Sequence, residues 1–163
     1  MTLASQHASL VSNLVLFGPI KPPPQAGKDG ATARAEAVRS GGMAKVADTV
    51  VGNAFSANSL KNRTEVVSFA REMLTRQDPE GYALACLSLA GSKEPDWGAI
   101  RAKTTIVSGK EDKVSAPPVC NAIRDNLANA KVEFLTWENV GHWHTLENAV
   151  ESAEVVKKAA RRS

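Results

Sequence analysis

Two side chains capable of acid–base chemistry follow short β-type runs in the same way. Thr104-Thr105-Ile106-Val107-Ser108 is short and rich in β-branched residues, and it leads into Gly109-Lys110-Glu111-Asp112. Val132-Glu133-Phe134-Leu135 is a second such run, and it leads into Asn139-Val140-Gly141-His142. In open parallel sheets, functional groups gather just past the carboxyl ends of the strands. If the two strands are neighbours, Asp112 and His142 project from one edge. A carboxylate in that place can hold one imidazole nitrogen and leave the other free as a general base. Taken singly, Asp112 reads as a loop cap and His142 as a polar loop residue; their matched placement favours the pair. Glu111 competes for the acid role and His144 for the base role, whereas His7 has no nameable partner.

These loops need elements to position them. Leu14-Val15-Leu16-Phe17, closed by Gly18-Pro19, reads as a buried strand ending in a loop. Residues 1–13 read as the last turns of an amphipathic helix, with Leu3, Leu10 and Val11 on its apolar side. Lys21 to Gly30 reads as a Pro/Gly linker. Helices are expected over about 31–51, interrupted at Gly41-Gly42, over 62–76, and from Pro79 to Ala90 with Asp78 as its cap. Further helices are expected over 117–128 and 148–160. Strand, helix, strand, helix at this spacing is the pattern of a parallel sheet with crossover helices. The fold class is therefore α/β, with three parallel strands at about 14–17, 104–108 and 132–135. The helical block between Gly30 and Ala90 reads as an insertion over that sheet.

Composition excludes several classes. The chain has 163 residues, 43% hydrophobic and 23% charged, which fits one globular domain and not a disordered or collagen-like chain. No apolar run approaches the roughly 20 residues that span a bilayer, and no basic residue precedes Lys21, so a soluble cytoplasmic chain without membrane contact is expected. The net charge of +3 is more than covered by Lys157, Lys158, Arg161 and Arg162, which read as complements to the carboxyl end of a last helix. Aromatics make up only 5%, too few for a base-stacking platform, so no nucleic-acid partner is expected. Cys86 and Cys120 form no CxxC motif and read as two buried thiols. No metal cluster, phosphate-binding glycine loop or dinucleotide fingerprint occurs, so no cofactor is expected.

With these residues in place, the sequence resembles the α/β-hydrolases, and the resemblance runs through essentially the whole chain as the C-terminal part of that fold. SGKEDKVSAP (108–117) looks like the loop carrying the acid of the triad, and ENVGHWHTLENAVE (138–151) like the loop and final helix carrying the histidine. The family order of acid before histidine fits Asp112 and His142. Gly141 before His142 favours it over His144, and the spacing from Gly109 favours Asp112 over Glu111. GGMAKVADTVVGNAFS (41–56) and MLTRQDPEGYALACLSLA (73–90) resemble the cap of 3-oxoadipate enol-lactonase-like members. The resemblance implies a partial hydrolase core at 1–29 and 92–163, and a helical cap at 30–91. It implies an ester or enol-lactone hydrolase of the serine type acting on a small carboxylic substrate; it assigns no substrate-binding residue.

One part of that pattern has no counterpart in the sequence. The family nucleophile sits in a G-x-S-x-G elbow, and no two of the eleven glycines are four apart. Val38-Arg39-Ser40-Gly41-Gly42 imitates it but has no strand before it. The 163 residues alone are therefore expected to be inactive, the alternative being a non-catalytic binding or interaction module. Without a partner for the strand at 14–17, low stability and self-association through that strand's edge are also expected.

Overall fold

The computed structural model describes residues 1–161. These fall into two compact units, one of residues 1–21, 54–57 and 94–161, the other of residues 22–53 and 58–93.

The first unit is built on a three-stranded parallel sheet in the order β1-β2-β3, formed by β1 (Asn13–Phe17), β2 (Lys103–Gly109) and β3 (Val132–Trp137). The central strand is buried from Thr104 to Gly109, as expected for a strand covered on both faces. On one face Leu14, Leu16, Ile106, Val132 and Phe134 pack with Ala4, Ile100, Cys120, Ile123 and Leu127 into one apolar cluster. Cys120 and Ile123 reach it from the helix Pro117–Asn126, which starts with proline in its first turn, where the missing N–H costs nothing. The helix Ala149–Ala160 packs against β1.

Two sequence expectations change here. The N-terminal segment is not an amphipathic helix of thirteen residues. It is α1 (Thr2–Gln6), broken at His7 and followed by a 3-10 turn at Ala8–Leu10. Ala4 alone is buried from it, while Leu3 and Leu10 are 58% and 74% exposed. β1 is half-buried along its whole length, because among the described residues it pairs with β2 alone and so forms the edge of the sheet. The basic tail sits where the sequence predicts: Lys157 and Lys158 lie in the last turn of the helix Ala149–Ala160 and Arg161 is its C-cap. Lys157 and Lys158 also pair with Glu154 and Glu133, and Arg162 lies outside the described residues.

The second unit is helical: α2 (Gln25–Gly41), α3 (Ala44–Ala54) without its last residue Ala54, α4 (Ala57–Asn62) without its first residue Ala57, α5 (Thr64–Thr75) and α6 (Pro79–Ala90). The linker shrinks to residues 21–24, because α2 begins directly after Pro24 and takes in Gly27 and Gly30. Ala31, Ala35 and Val38 recur at helical spacing and are buried, which offsets the roughly 1 kcal/mol that each interior glycine costs. These small side chains, with Ala83 and Cys86 of α6, let α2 and α6 pack closely. Arg39 forks onto Glu80 across the same pair of helices. The Asp78 carboxylate caps α6 by accepting from the Gly81 amide at 2.7 Å, as the sequence predicts. The short α4 was not expected from the sequence; it occupies residues just before α5. Cys86 and Cys120 are both buried and free. Among the described residues no helix is long and apolar enough to cross a membrane.

Ile106 is fully buried at the centre of the sheet. Ile106→Ala should lower the unfolding free energy by about 2–5 kcal/mol in urea titrations, since the lost burial and the remaining cavity add. The one-sided pairing of β1 is expected to make the purified chain elute above its 17.3 kDa monomer mass in size-exclusion chromatography. A monodisperse monomer melting cooperatively above about 55 °C would contradict that expectation.

Candidate active site

The register of the sheet sets the site. β2 and β3 run parallel with Gly109 opposite Trp137, so the loops that follow them leave the sheet at one level. Two backbone bonds then join the loops: Lys110 donates to the Trp137 carbonyl at 2.9 Å, and Glu111 to the Val140 carbonyl at 3.0 Å. Asn139 turns the chain back with φ 54°, a left-handed conformation that asparagine tolerates better than most residues.

Asp112 is fixed by every oxygen it has. Its Oδ1 accepts from the amides of Val114 and Ser115 at 2.8 and 2.7 Å, and its Oδ2 faces His142 Nδ1 at 2.9 Å. The Ser115 hydroxyl in turn donates to the Pro19 carbonyl, tying this loop to the chain beyond β1. Burial pushes the Asp112 carboxyl up, but the bonds from His142, Ser115 and Val114 together outweigh it and hold the group below its usual range. An ionised carboxylate only accepts, so in the neutral imidazole of His142 the proton sits on Nδ1 and the lone pair on Nε2. The Asp112 side chain is fully buried, whereas that of His142 is 26% exposed. The arrangement can therefore accept a proton at Nε2 while Asp112 stabilises the resulting imidazolium.

Gly18 forms the floor beneath this pair. Its φ of 51° disfavours a side chain, and a Cβ there would lie 2.7 Å from Asp112 Oδ2 and 3.0 Å from His142 Nδ1. Sequence reasoning treated Gly18 only as the end of a strand. The other histidines take different places. His144 is buried; its Nδ1–H donates to the His142 carbonyl at 2.9 Å, and its ring packs beside both Phe17 and Trp137 with centroids 5.9 and 6.0 Å away. Its Nε2 is enclosed without a hydrogen-bond partner among the described residues, so it is closed to a reacting group. Glu111 accepts from the Ala57 amide at 2.8 Å and does not hold His142. His7 is exposed at the end of α1. Sequence reasoning passed over Glu147, which is buried and accepts from the amides of Gly141 and Ser56. Its partner Ser56 is 91 positions away, so no local signal marks it. Among the described residues no group of three or more His, Cys, Asp or Glu could hold a metal ion.

Burial pushes the His144 imidazole below 6.5, and its bond to the His142 carbonyl and the Asp112 charge offset this only in part. The unfolded chain thus takes up a proton near pH 6.5 that the folded chain refuses until lower pH. This contribution to stability is full above pH 6.5 and is lost as pH falls through the window beneath it. Thermal melts from pH 8 to pH 5 should show falling stability, and His144→Gln, which keeps a donor but never charges, should flatten the fall. An equal slope in the variant would assign it to other groups.

No protein-family model and no curated protein matches this sequence. Solved structures do. A thermophilic esterase from Thermogutta terrifontis superposes with a TM-score of 0.85 at 22% identity, covering 98% of this chain and 59% of its own. The enol-lactonase from Burkholderia xenovorans LB400 gives 0.83 at 22% identity, covering 98% and 60%. MGS-M2, an α/β hydrolase from a Medee basin deep-sea metagenome library, gives 0.81 at 17% identity, covering 98% and 60%. The chain spans about three-fifths of the length of these structures. At this likeness, and with three parallel strands flanked by helices, the chain has the α/β-hydrolase fold over the part of that fold it spans.

Proposed function

We propose that Asp112 and His142 are the acid and base of a hydrolase acting on small carboxylic esters or enol-lactones. The observation that carries this reading is the 2.9 Å contact between His142 Nδ1 and the buried Asp112 carboxyl, in a histidine whose ring is partly exposed. In such a reaction a hydroxyl nucleophile gives its proton to Nε2 as it attacks the carbonyl carbon. The imidazolium then returns that proton to the departing alkoxide or enolate oxygen, and Asp112 holds the ring in one tautomer throughout. An esterase and an enol-lactonase among the similar structures support the substrate class.

The 163 residues carry no G-x-S-x-G elbow, so we assign them no turnover of their own. An unactivated His–Asp pair has only water to work on, and lost oxyanion donors alone cost about 3–4 kcal/mol of transition-state stabilisation. Hydrolysis of a p-nitrophenyl ester by the purified chain should match that by Asp112→Ala and His142→Ala. Turnover that both substitutions abolish would reveal a nucleophile within these residues. Joined to a segment bearing a G-x-S-x-G strand–turn–helix, the chain should hydrolyse the ester, and Asp112→Asn should slow it by about 10⁴-fold through the wrong tautomer. An active fusion indifferent to Asp112 would overturn the assignment.

A further inference from the structure

The four residues Ala54–Ala57 run from the last residue of α3 to the first of α4 and belong to the sheet unit, although the rest of those two helices does not. They lie along the loop that carries His142. The His142 amide donates to the Ala54 carbonyl at 2.6 Å, and the Ser56 and Ala57 amides donate to Glu147 Oε1 and Glu111 Oε2, each at 2.8 Å. Fully buried Phe55 sets its ring edge-on to Trp143, with centroids 4.9 Å apart. The approach is close enough that a Cβ on Gly141 would lie 2.7 Å from the Ser56 nitrogen and closer still to the Ala54 carbonyl oxygen.

Glu147 joins the two sides. Its Oε2 accepts from the Gly141 amide at 2.7 Å while its Oε1 holds Ser56. Three successive peptide groups around His142 are thereby tied: Gly141 N–H to Glu147, His142 N–H to Ala54, and the His142 carbonyl to His144. With those planes fixed, the Cα–Cβ bond of His142 has one direction, and that direction brings Nδ1 to Asp112. We propose that Glu147 is a positioning residue that clasps Ala54–Ala57 to the histidine loop and so sets the His142–Asp112 hydrogen bond. This role rests on the acid–base reading of that pair. It needs a carboxylate, because two amide donors require two acceptor oxygens. A glutamine of the same shape turns an NH₂ toward one of them.

The test is ¹⁵N and low-field ¹H NMR of the histidines in the full chain, reading the Nδ1–H tautomer of His142 and the hydrogen bond it donates to Asp112. In the wild type that signal should be present and should be lost in Asp112→Asn. Glu147→Gln should lose it or mix the tautomers while the amide pattern of the central strand stays folded. Gly141→Ala, which pries the clasp open from the other side, should do the same. Glu111→Ala removes only the Ala57 anchor at an exposed bond, should fold whatever the fate of the others, and should weaken the signal in the same direction. A wild-type spectrum with no signal sensitive to Asp112→Asn overturns the acid–base reading and this role with it. A wild-type signal that persists unchanged in folded Glu147→Gln overturns the role of Glu147 alone. Should Glu147→Gln not fold, a signal unchanged in Glu111→Ala and in Gly141→Ala overturns the clasp as what sets the pair.

Discussion

Parallel register between β2 and β3 is the constraint on which the site depends. Gly109 and Trp137 stand opposite one another at the ends of their strands, and the two loops are stitched together within three residues of that point. Antiparallel strands would send these loops to opposite ends of the sheet. A slip of one residue would turn the whole inner face of β3 outward. Only with this pairing do an aspartate three residues past one strand and a histidine five residues past the other meet at 2.9 Å. The sheet that supplies this register is small, and its central strand is buried from Thr104 to Gly109.

Two buried acids then share one solution to a single problem. A carboxylate removed from water must recover several hydrogen bonds or take up a proton. Asp112 recovers them from two amides of its own turn and from His142; Glu147 recovers them from two amides distant in sequence. Both groups therefore also fix backbone. The price of burying them is returned as geometry, since each amide bond that solvates a carboxylate immobilises a peptide plane beside the pair.

What the sequence made legible follows from the range of each interaction. The helix α6 could be bounded at its start because Asp78 and Pro79 act on their own first turn. β2 and β3 could be placed because branched and apolar residues, together with Gly109, mark strands and their ends locally. The approach of Asp112 to His142 could be anticipated from the order of those elements. The N-terminal helix misled, since Leu3, Leu10 and Val11 suggest an apolar stripe while the fold buries Ala4. The onset of α2 misled because Gly27 and Gly30 look like a linker until the burial of Ala31, Ala35 and Val38 is known. Gly18 and Glu147 were opaque for a deeper reason. Each is needed by atoms that reach it only in the folded chain, so neither carries a local pattern.

The separate course of Ala54–Ala57 has a consequence for how such a protein can be recombined. By chain order residues 30–91 look like one removable insert, but the helical unit is two pieces, 22–53 and 58–93, threaded through four residues that belong elsewhere. A transplanted helical block that carried its own version of those four residues would bring foreign carbonyls and amides up to Gly141 and Glu147. Splice points flanking Ala54–Ala57 on both sides leave that threading intact. The helices are then exchangeable parts, and the short span between them is part of the chassis.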